Sequence, residues 1–249
     1  MSADNSPISD APPPYDTVIF DCDSTLSGIE GIEELAGDLS PRIEALTRRA
    51  MEGELPLEEV FGARLELIRP SRADLARVAE VYAKRALPNA AGLVALLRAA
   101  GKRVLVVSGG LALAVRPFAE GLGIAAGEVH AVEAYFDGAG EYRGFDEDSS
   151  LARAGGKPEL LAALAEQGSL GAIALVGDGA TDLEAACVTA RFVAFGGVVR
   201  RASVFARARV HCTRADMAAL VPLLLTRAEI DARSGDPAHG EILRGAARL

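Results

Sequence analysis

Four short stretches gather side chains able to move protons, hold a cation or grip an anion. They are Asp-Cys-Asp-Ser-Thr at 21–25, Ser-Gly-Gly at 108–110, Gly-Gly-Lys at 155–157 and Gly-Asp-Gly-Ala-Thr-Asp at 177–182. Asp21 and Asp23 follow the apolar run Thr-Val-Ile-Phe at 17–20. Residues i and i+2 of an extended segment point the same way. Both carboxylates then face one pocket, and Cys22 turns away. Alone, such a pair is more often a solvated turn at a strand end. Asp178, at the end of another apolar run, shifts that balance. Three carboxylates in one cleft repel unless a divalent cation or raised pKa values relieve them. Hard oxygen ligands with retained waters suit Mg²⁺.

The other groups have both a chemical and a plain reading. Ser108 precedes a helical pattern starting near Leu111, so its hydroxyl is either part of an anion site or an N-cap. Lys157 stands at a helix start marked by Pro158, where the dipole disfavours a cation. A bound anion or nearby carboxylates would offset this; an exposed lysine would simply tolerate it. Asp182 reads as a first-turn acid, and Thr181 with Glu184 fits a capping box. Arg64 lies on the apolar stripe of Leu57, Phe61, Leu65 and Ile68. It either snorkels at the stripe edge or offers a guanidinium to a carboxylate. Glu30, after the first loop, reads on its own as a dipole-favoured acid.

These groups need a frame that brings them together. Apolar runs at 17–20, 103–108, 172–177, 191–195 and 209–213 read as strands, with Ala- and Leu-rich helical patterns between most of them. The segment after Asn89 is one such pattern, with Asn89 as its cap and Gly101 as its stop. The alternation predicts an α/β fold with a doubly wound, mainly parallel, Rossmann-like sheet. Ligands of such sheets bind beyond the carboxyl ends of the strands, where three of the four stretches lie. The rhythm breaks between the first two strands. Residues 27–87 carry no strand signal and read as about four helices inserted as a cap. Ser40-Pro41 opens one of them, and Ser71 to Asp74 forms a capping box at another. A second insertion at 129–145 reads as a β-hairpin turning at Asp-Gly-Ala-Gly. The expected organisation is a leader at 1–14, a core at 15–26 and 88–226, the cap at 27–87 and a peripheral tail at 227–249.

Composition narrows the function classes. Of 249 residues, half are hydrophobic, enough for a sizeable core, and the net charge is −9. That charge disfavours nucleic acid or an anionic membrane as a partner. No apolar run approaches a membrane span. The polar, Pro-rich start lacks the features of a signal peptide, so a cytoplasmic location is the default expectation. Three cysteines and three histidines show no zinc spacing, and all three cysteines read as small buried hydrophobes. A homodimer is compatible with the sequence but not fixed by it.

The ordered set of four stretches resembles the haloacid dehalogenase superfamily of phosphohydrolases. The resemblance tightens to its phosphoserine-hydrolysing members through Glu-Gly-Ile-Glu-Glu-Leu-Ala-Gly at 30–37 and the segments 47–72, 140–149 and 194–201. It runs from about Asp16 to about Leu225. What it implies is a Mg²⁺-dependent hydrolysis of O-phospho-L-serine through an aspartyl-phosphate. Asp21 would be the nucleophile, and Asp23 would act first as acid and then as base. Asp21, the backbone carbonyl of Asp23, and Asp178 would hold the metal. Ser108, Gly109 and Lys157 would hold phosphoryl oxygens, and Asp182 would support Lys157 or the metal shell. Glu30 would take the substrate ammonium and Arg64 its carboxylate. Met51 and Leu57 would wall the pocket, with Thr181 at the substrate and Thr25 holding the nucleophile loop.

The chain departs from that pattern at Thr181, where many relatives have Asn, and at Leu111, where many have Phe. Pro117 falls inside the helix that follows and should kink it. Two other chemistries use similar groups. The phosphoryl group could pass to an alcohol such as homoserine, or the substrate could be another small phosphomonoester. A phospho-accepting signalling receiver also uses strand-end aspartates, a lysine and Mg²⁺, but it has no helical insertion there and needs no Asp23.

Overall fold

The computed structural model describes residues 10–51, 57–168 and 170–248. In chain order, β1 (Thr17–Phe20) leads into four helices: α1 (Gly31–Ala36), α2 (Ser40–Met51), α3 (Leu57–Ile68) and α4 (Arg72–Lys84). Next come α5 (Ala90–Ala99), β2 (Arg103–Leu111), α6 (Ala112–Gly121), β3 (Val129–Val132), β4 (Ala134–Phe136) and β5 (Tyr142–Phe145). The remainder is α7 (Gly156–Gln167), β6 (Ile173–Gly177), α8 (Ala180–Ala185), β7 (Arg191–Phe195), α9 (Ala202–Phe205) and β8 (Val210–Cys212), then α10 (Val221–Leu224), α11 (Arg227–Asp231) and α12 (Gly240–Ala246).

Six strands form one parallel sheet in the order β3-β2-β1-β6-β7-β8. β1 is central and fully buried, which is why it reads as a continuous apolar run rather than an alternating one. Its residues divide between the two faces. Val18 and Phe20 join a core with Leu93, Phe118 and Val221, while Ile19 joins another with Leu161, Leu183 and Val204. Connections run outward from β1 in both directions, so the strand order reverses there and a crevice opens at its carboxyl end. Phe20 pairs with Val106 of β2 and with Val176 of β6. The loops after these three strands therefore start at one level.

The insertion carrying α1–α4 is tied at its neck. Ser27 and Ala86 form an isolated antiparallel bridge, and Gly28 N–H donates to the Arg85 carbonyl at 2.9 Å. Ser71 and Asp74 make the reciprocal capping box at α4. β4 and β5 form an antiparallel hairpin whose turn is closed by the Asp137 carboxylate, which accepts from Ala139 and Glu141 N–H. Phe145 of this hairpin meets Phe61 of the cap edge to face, 5.2 Å between centroids.

Several local expectations change. The hairpin does not begin at 129: Val129–Val132 pairs in parallel with β2 and extends the main sheet. β2 runs through Ser108 to Leu111, so Ser108 is not a helix cap. Asn89 does sit at the N-cap of α5 but in a left-handed conformation, and its side chain donates to Asp216 instead. Cys187 is exposed, whereas Cys22 and Cys212 are buried. The tail is not merely peripheral. Ile242 of α12 is buried in the core, 3.6 Å from where a Cβ would stand on Gly92 of α5. Glu229 of α11 pairs with the buried Lys102.

Candidate active site

β1 hands over to a tight loop. Asp21 N–H still bonds to the Val176 carbonyl at 3.0 Å, then the Cys22 carbonyl collects the N–H groups of Thr25, Leu26 and Ser27. Ser24 supplies the left-handed step at φ 52°. Asp21 Oδ1 accepts from Cys22 N–H at 2.8 Å and meets Lys157 Nζ at 3.0 Å. Asp23 is held differently, from the cap side. Its Oδ1 accepts from Gly31 N–H at 2.7 Å and from the Tyr82 hydroxyl at 2.5 Å. Burial, then the charge of Asp21, pushes the Asp23 carboxyl up to about 6. Two carboxylates two residues apart thus sit in different surroundings.

At the end of β2, the Ser108 hydroxyl is fully buried and accepts from Gly110 N–H at 3.0 Å. Gly109 lines the cavity above it. From the other side α7 brings in Lys157, 4% exposed, whose Nζ lies 2.6 Å from Asp182 Oδ1. The helix start fits only because residue 156 is glycine: a Cβ there would lie 1.6 Å from the Ser150 carbonyl oxygen. Burial alone would lower the Lys157 ammonium, but the charges of Asp182 and Asp21 outweigh it and hold it above its usual range. The same two carboxylates answer the helix dipole.

At the end of β6, Asp178 is buried, with Thr25 Oγ1 at 3.5 Å from its Oδ1 and Arg201 Nε donating to its Oδ2 at 2.9 Å. Burial and the neighbouring Asp21 push its carboxyl up to about 6, against the pull of Arg201. Asp182 closes α8 at its start by accepting from Gly179 N–H at 3.0 Å. The Thr181–Glu184 capping box therefore does not form. Glu184 accepts from Gly155 N–H instead, at 2.8 Å, and Thr181 lines the cavity.

The cap covers this strand edge and leaves one cavity of about 330 Å³, lined among others by Asp21, Asp23, Glu30, Arg64, Lys157, Asp178 and Thr181. Glu30 accepts from Ser24 Oγ at 2.7 Å and Arg201 at 3.1 Å; burial, then the charge of Asp23, pushes it up to about 7. Arg64 Nε is buried with no hydrogen-bond partner, its guanidinium 5.9 Å from the Phe61 ring centroid. A buried guanidinium N–H lacking an acceptor is costly unless an anion meets it. Burial lowers its pKa, and Glu30, Glu33 and Asp23 counter this. Met51 closes α2, but its side chain, like that of Leu57, lies outside the described residues. Ser108, Thr25 and Asp182 lie behind the cavity wall rather than on it.

Two site residues have no role in the sequence reading. Arg201 bridges Asp178 and Glu30. Its only sequence signal is its place after β7, in the segment 194–201. Tyr82 sits on the buried stripe of α4 with Leu75 and Val78, where it reads as core.

The acidic corner fits a divalent cation. Carboxylate oxygens of Asp21, Asp178 and Asp182 lie within 4.8 Å of one another. Asp182 is the weakest candidate of the three, because Lys157 engages one of its oxygens and Gly179 N–H the other. Asp21 and Asp178 remain, two hard oxygen donors whose mutual repulsion a cation would relieve.

A haloacid dehalogenase-like hydrolase family model matches residues 18–186. Phosphoserine phosphatase of Rattus norvegicus is 38% identical over 200 residues, spanning 80% of this chain and 89% of its own length. The chloroplastic phosphoserine phosphatase of Arabidopsis thaliana is 36% identical over 197 residues, 78% of this chain and 67% of that one. Among solved structures, a substrate-bound phosphoserine phosphatase complex superimposes with a TM-score of 0.72 at 24% identity, covering 86% of this chain and 100% of that chain. A phospho-aspartyl intermediate analogue of phosphoserine phosphatase gives 0.69 at 24% identity with the same coverage. At that identity these two speak for the fold.

Proposed function

The chain belongs to the haloacid dehalogenase-like hydrolase family, and from that premise we propose that it is a phosphatase releasing phosphate from O-phosphoserine, with Mg²⁺ as its cation. One observation carries the reading. A single cavity holds the Asp21 carboxylate paired with a buried lysine, a second carboxyl, Asp23, held by Gly31 and Tyr82, and, on the cap side, the Glu30 carboxyl and the Arg64 guanidinium with its buried Nε unbonded. Phosphoserine has the complementary charges: a phosphate, an ammonium and a carboxylate.

The roles follow from which oxygens are engaged. Cys22 N–H and Lys157 both hold Asp21 Oδ1, which leaves Oδ2 to attack phosphorus. Lys157, kept in place by Asp182, and the backbone at Gly109 balance charge on the phosphoryl oxygens. Ser108 takes its part in phosphate binding from behind the cavity wall: by accepting from Gly110 N–H it fixes the Ser-Gly-Gly turn that presents Gly109 to the phosphoryl group. Asp23 protonates the departing seryl oxygen and then takes a proton from water. Glu30 accepts the substrate ammonium and Arg64 its carboxylate, with Thr181 completing the pocket. Mg²⁺ held by Asp21, Asp178 and the Asp23 carbonyl would neutralise the carboxylates that otherwise repel a phosphate dianion. Thr25 braces the loop against Asp178.

Among the described residues no helix is long and apolar enough to cross a membrane. A cytoplasmic location is part of the same proposal. The direct test is phosphate release across a panel of phosphorylated amino acids and sugars, with and without Mg²⁺. Phosphoserine should lead the panel, and chelation should abolish its turnover. A phosphorylated sugar leading instead, or undiminished turnover in chelator, would overturn the reading.

Arg64→Ala separates recognition from chemistry. Losing a charge-assisted contact should raise KM for phosphoserine about 10- to 100-fold. KM for an aryl phosphate, which has no carboxylate, should change far less. Equal effects on both would remove Arg64 from carboxylate recognition.

A further inference from the structure

Tyr82 belongs to the cap, yet its hydroxyl donates to Asp23 Oδ1 at 2.5 Å. The contact is built in from several directions. The side chain is 1% exposed, and its ring stacks on Phe118 of α6 with centroids 5.5 Å apart and planes 17° apart. The Tyr82 carbonyl accepts from Ser27 Oγ at the neck of the cap. Gly31 leaves room for the hydroxyl: a Cβ there would lie 2.1 Å from Tyr82 Oη. The phenol O–H is the donor of this pair and the carboxylate oxygen its acceptor.

The second donor falls on the same oxygen. Gly31 N–H also reaches Asp23 Oδ1, at 2.7 Å. An oxygen accepting two hydrogen bonds has no lone pair free for a proton of its own. The other oxygen, Oδ2, faces the Ser-Gly-Gly turn and lies 3.2 Å from where a Cβ would stand on Gly110.

We propose that Tyr82 is a positioning residue for proton transfer: together with Gly31 N–H it pins Asp23 Oδ1, so that Oδ2 gives and takes the proton. This rests on the reading of Asp23 as acid and base. In the first step Asp21 Oδ2 forms a bond to phosphorus and the bond to the seryl oxygen breaks. The departing oxygen takes the proton from Asp23 Oδ2, leaving a carboxylate whose charge the two donors at Oδ1 support. In the second step the oxygen of water bonds to phosphorus and its proton passes to Asp23 Oδ2. The bond to Asp21 breaks, restoring its carboxylate and releasing phosphate.

Tyr82→Phe removes the hydroxyl and keeps the ring on Phe118. The readout is kcat/KM for phosphoserine divided by kcat/KM for nitrophenyl phosphate. Both values report steps up to departure of the leaving group, and only the alkoxide needs a proton to leave. A smaller folded fraction cancels in the ratio. The ratio should fall about tenfold, a modest part of what general acid catalysis contributes. A fall of less than about threefold would overturn the assignment, since a purely structural role moves both substrates together. Gly31→Ala, whose methyl would collide with the hydroxyl, should lower the ratio in the same way; an unchanged ratio in this variant also counts against it. If the wild type instead prefers another alkyl phosphate, the phosphoserine reading fails, and the Tyr82 ratio is read with that substrate.

Discussion

Asp21→Asn lowers phosphate release from phosphoserine by about 10⁴-fold or more, the scale on which loss of a covalent nucleophile is felt. The size follows from the geometry. Asp21 Oδ2 is the carboxylate oxygen left free by the contacts at the end of β1. Asp23 does not stand in for it: Gly31 and Tyr82 hold its Oδ1 from the cap side, and its remaining oxygen carries the proton in this reading. Asp178 is turned toward Arg201 and Thr25. The amide of asparagine keeps the shape but offers a poor nucleophile. The variant should still fold, with stability changed by no more than about 1 kcal/mol, since the substitution removes a charge from a crowded acidic corner and Lys157 keeps Asp182. Two measurements check this. Labelled substrate quenched in acid should leave hydroxylamine-sensitive label on the wild type and none on the variant. Activity above about a thousandth of wild type would show that the phosphoryl group does not pass through Asp21.

The strand framework was legible because buried parallel strands have a strong signature. β1 and β7 coincide with their apolar runs, 17–20 and 191–195, since each is buried along most of its length. The convergence of Asp21, the Ser-Gly-Gly turn and Asp178 then follows from the rule for open sheets, and the register of Phe20 with Val106 and Val176 realises it. β3 was not legible. Its four residues adjoin the hairpin without a turn signal, and only pairing with β2 assigns them to the main sheet. The start of α8 was ambiguous because two capping patterns overlap there. Lys157 decides for Asp182, and Gly155 N–H takes Glu184 away from Thr181. Arg201 and Tyr82 were hidden by distance. Arg201 meets Glu30 across 171 residues, and Tyr82 meets Asp23 across 59. An arginine after a strand and a tyrosine on an apolar helix stripe have ordinary explanations until the cap is seen to fold over the strand ends.

Lys157→Met should damage both stability and catalysis, and the two losses can be separated. Lys157 is buried between Asp182 at 2.6 Å and Asp21 at 3.0 Å. Removing it strands the fully buried Asp182 carboxylate without its cation, at a cost of about 3–5 kcal/mol. In a chain of this size that lowers Tm by roughly 6–20 °C. The sign of the pH dependence follows. Burial already raises the Asp182 carboxyl with Lys157 beside it, and losing the ammonium raises it further. An acid whose folded pKa lies above its unfolded one binds more protons when folded, so its contribution to stability falls as pH rises through that window. The deficit should therefore shrink as the pH is lowered from 8 toward 5. A second substitution, Asp182→Asn, removes the stranded charge and should recover most of the lost stability at pH 8. It should not recover activity, because no ammonium then meets the phosphoryl oxygens, and kcat should stay about 10²- to 10³-fold down. Equilibrium unfolding and phosphate release on the single and double variants measure the two effects apart. Activity returning with stability would mean that Lys157 serves only the fold. A deficit that grows on acidification would mean that Asp182 is not the group left unpaired.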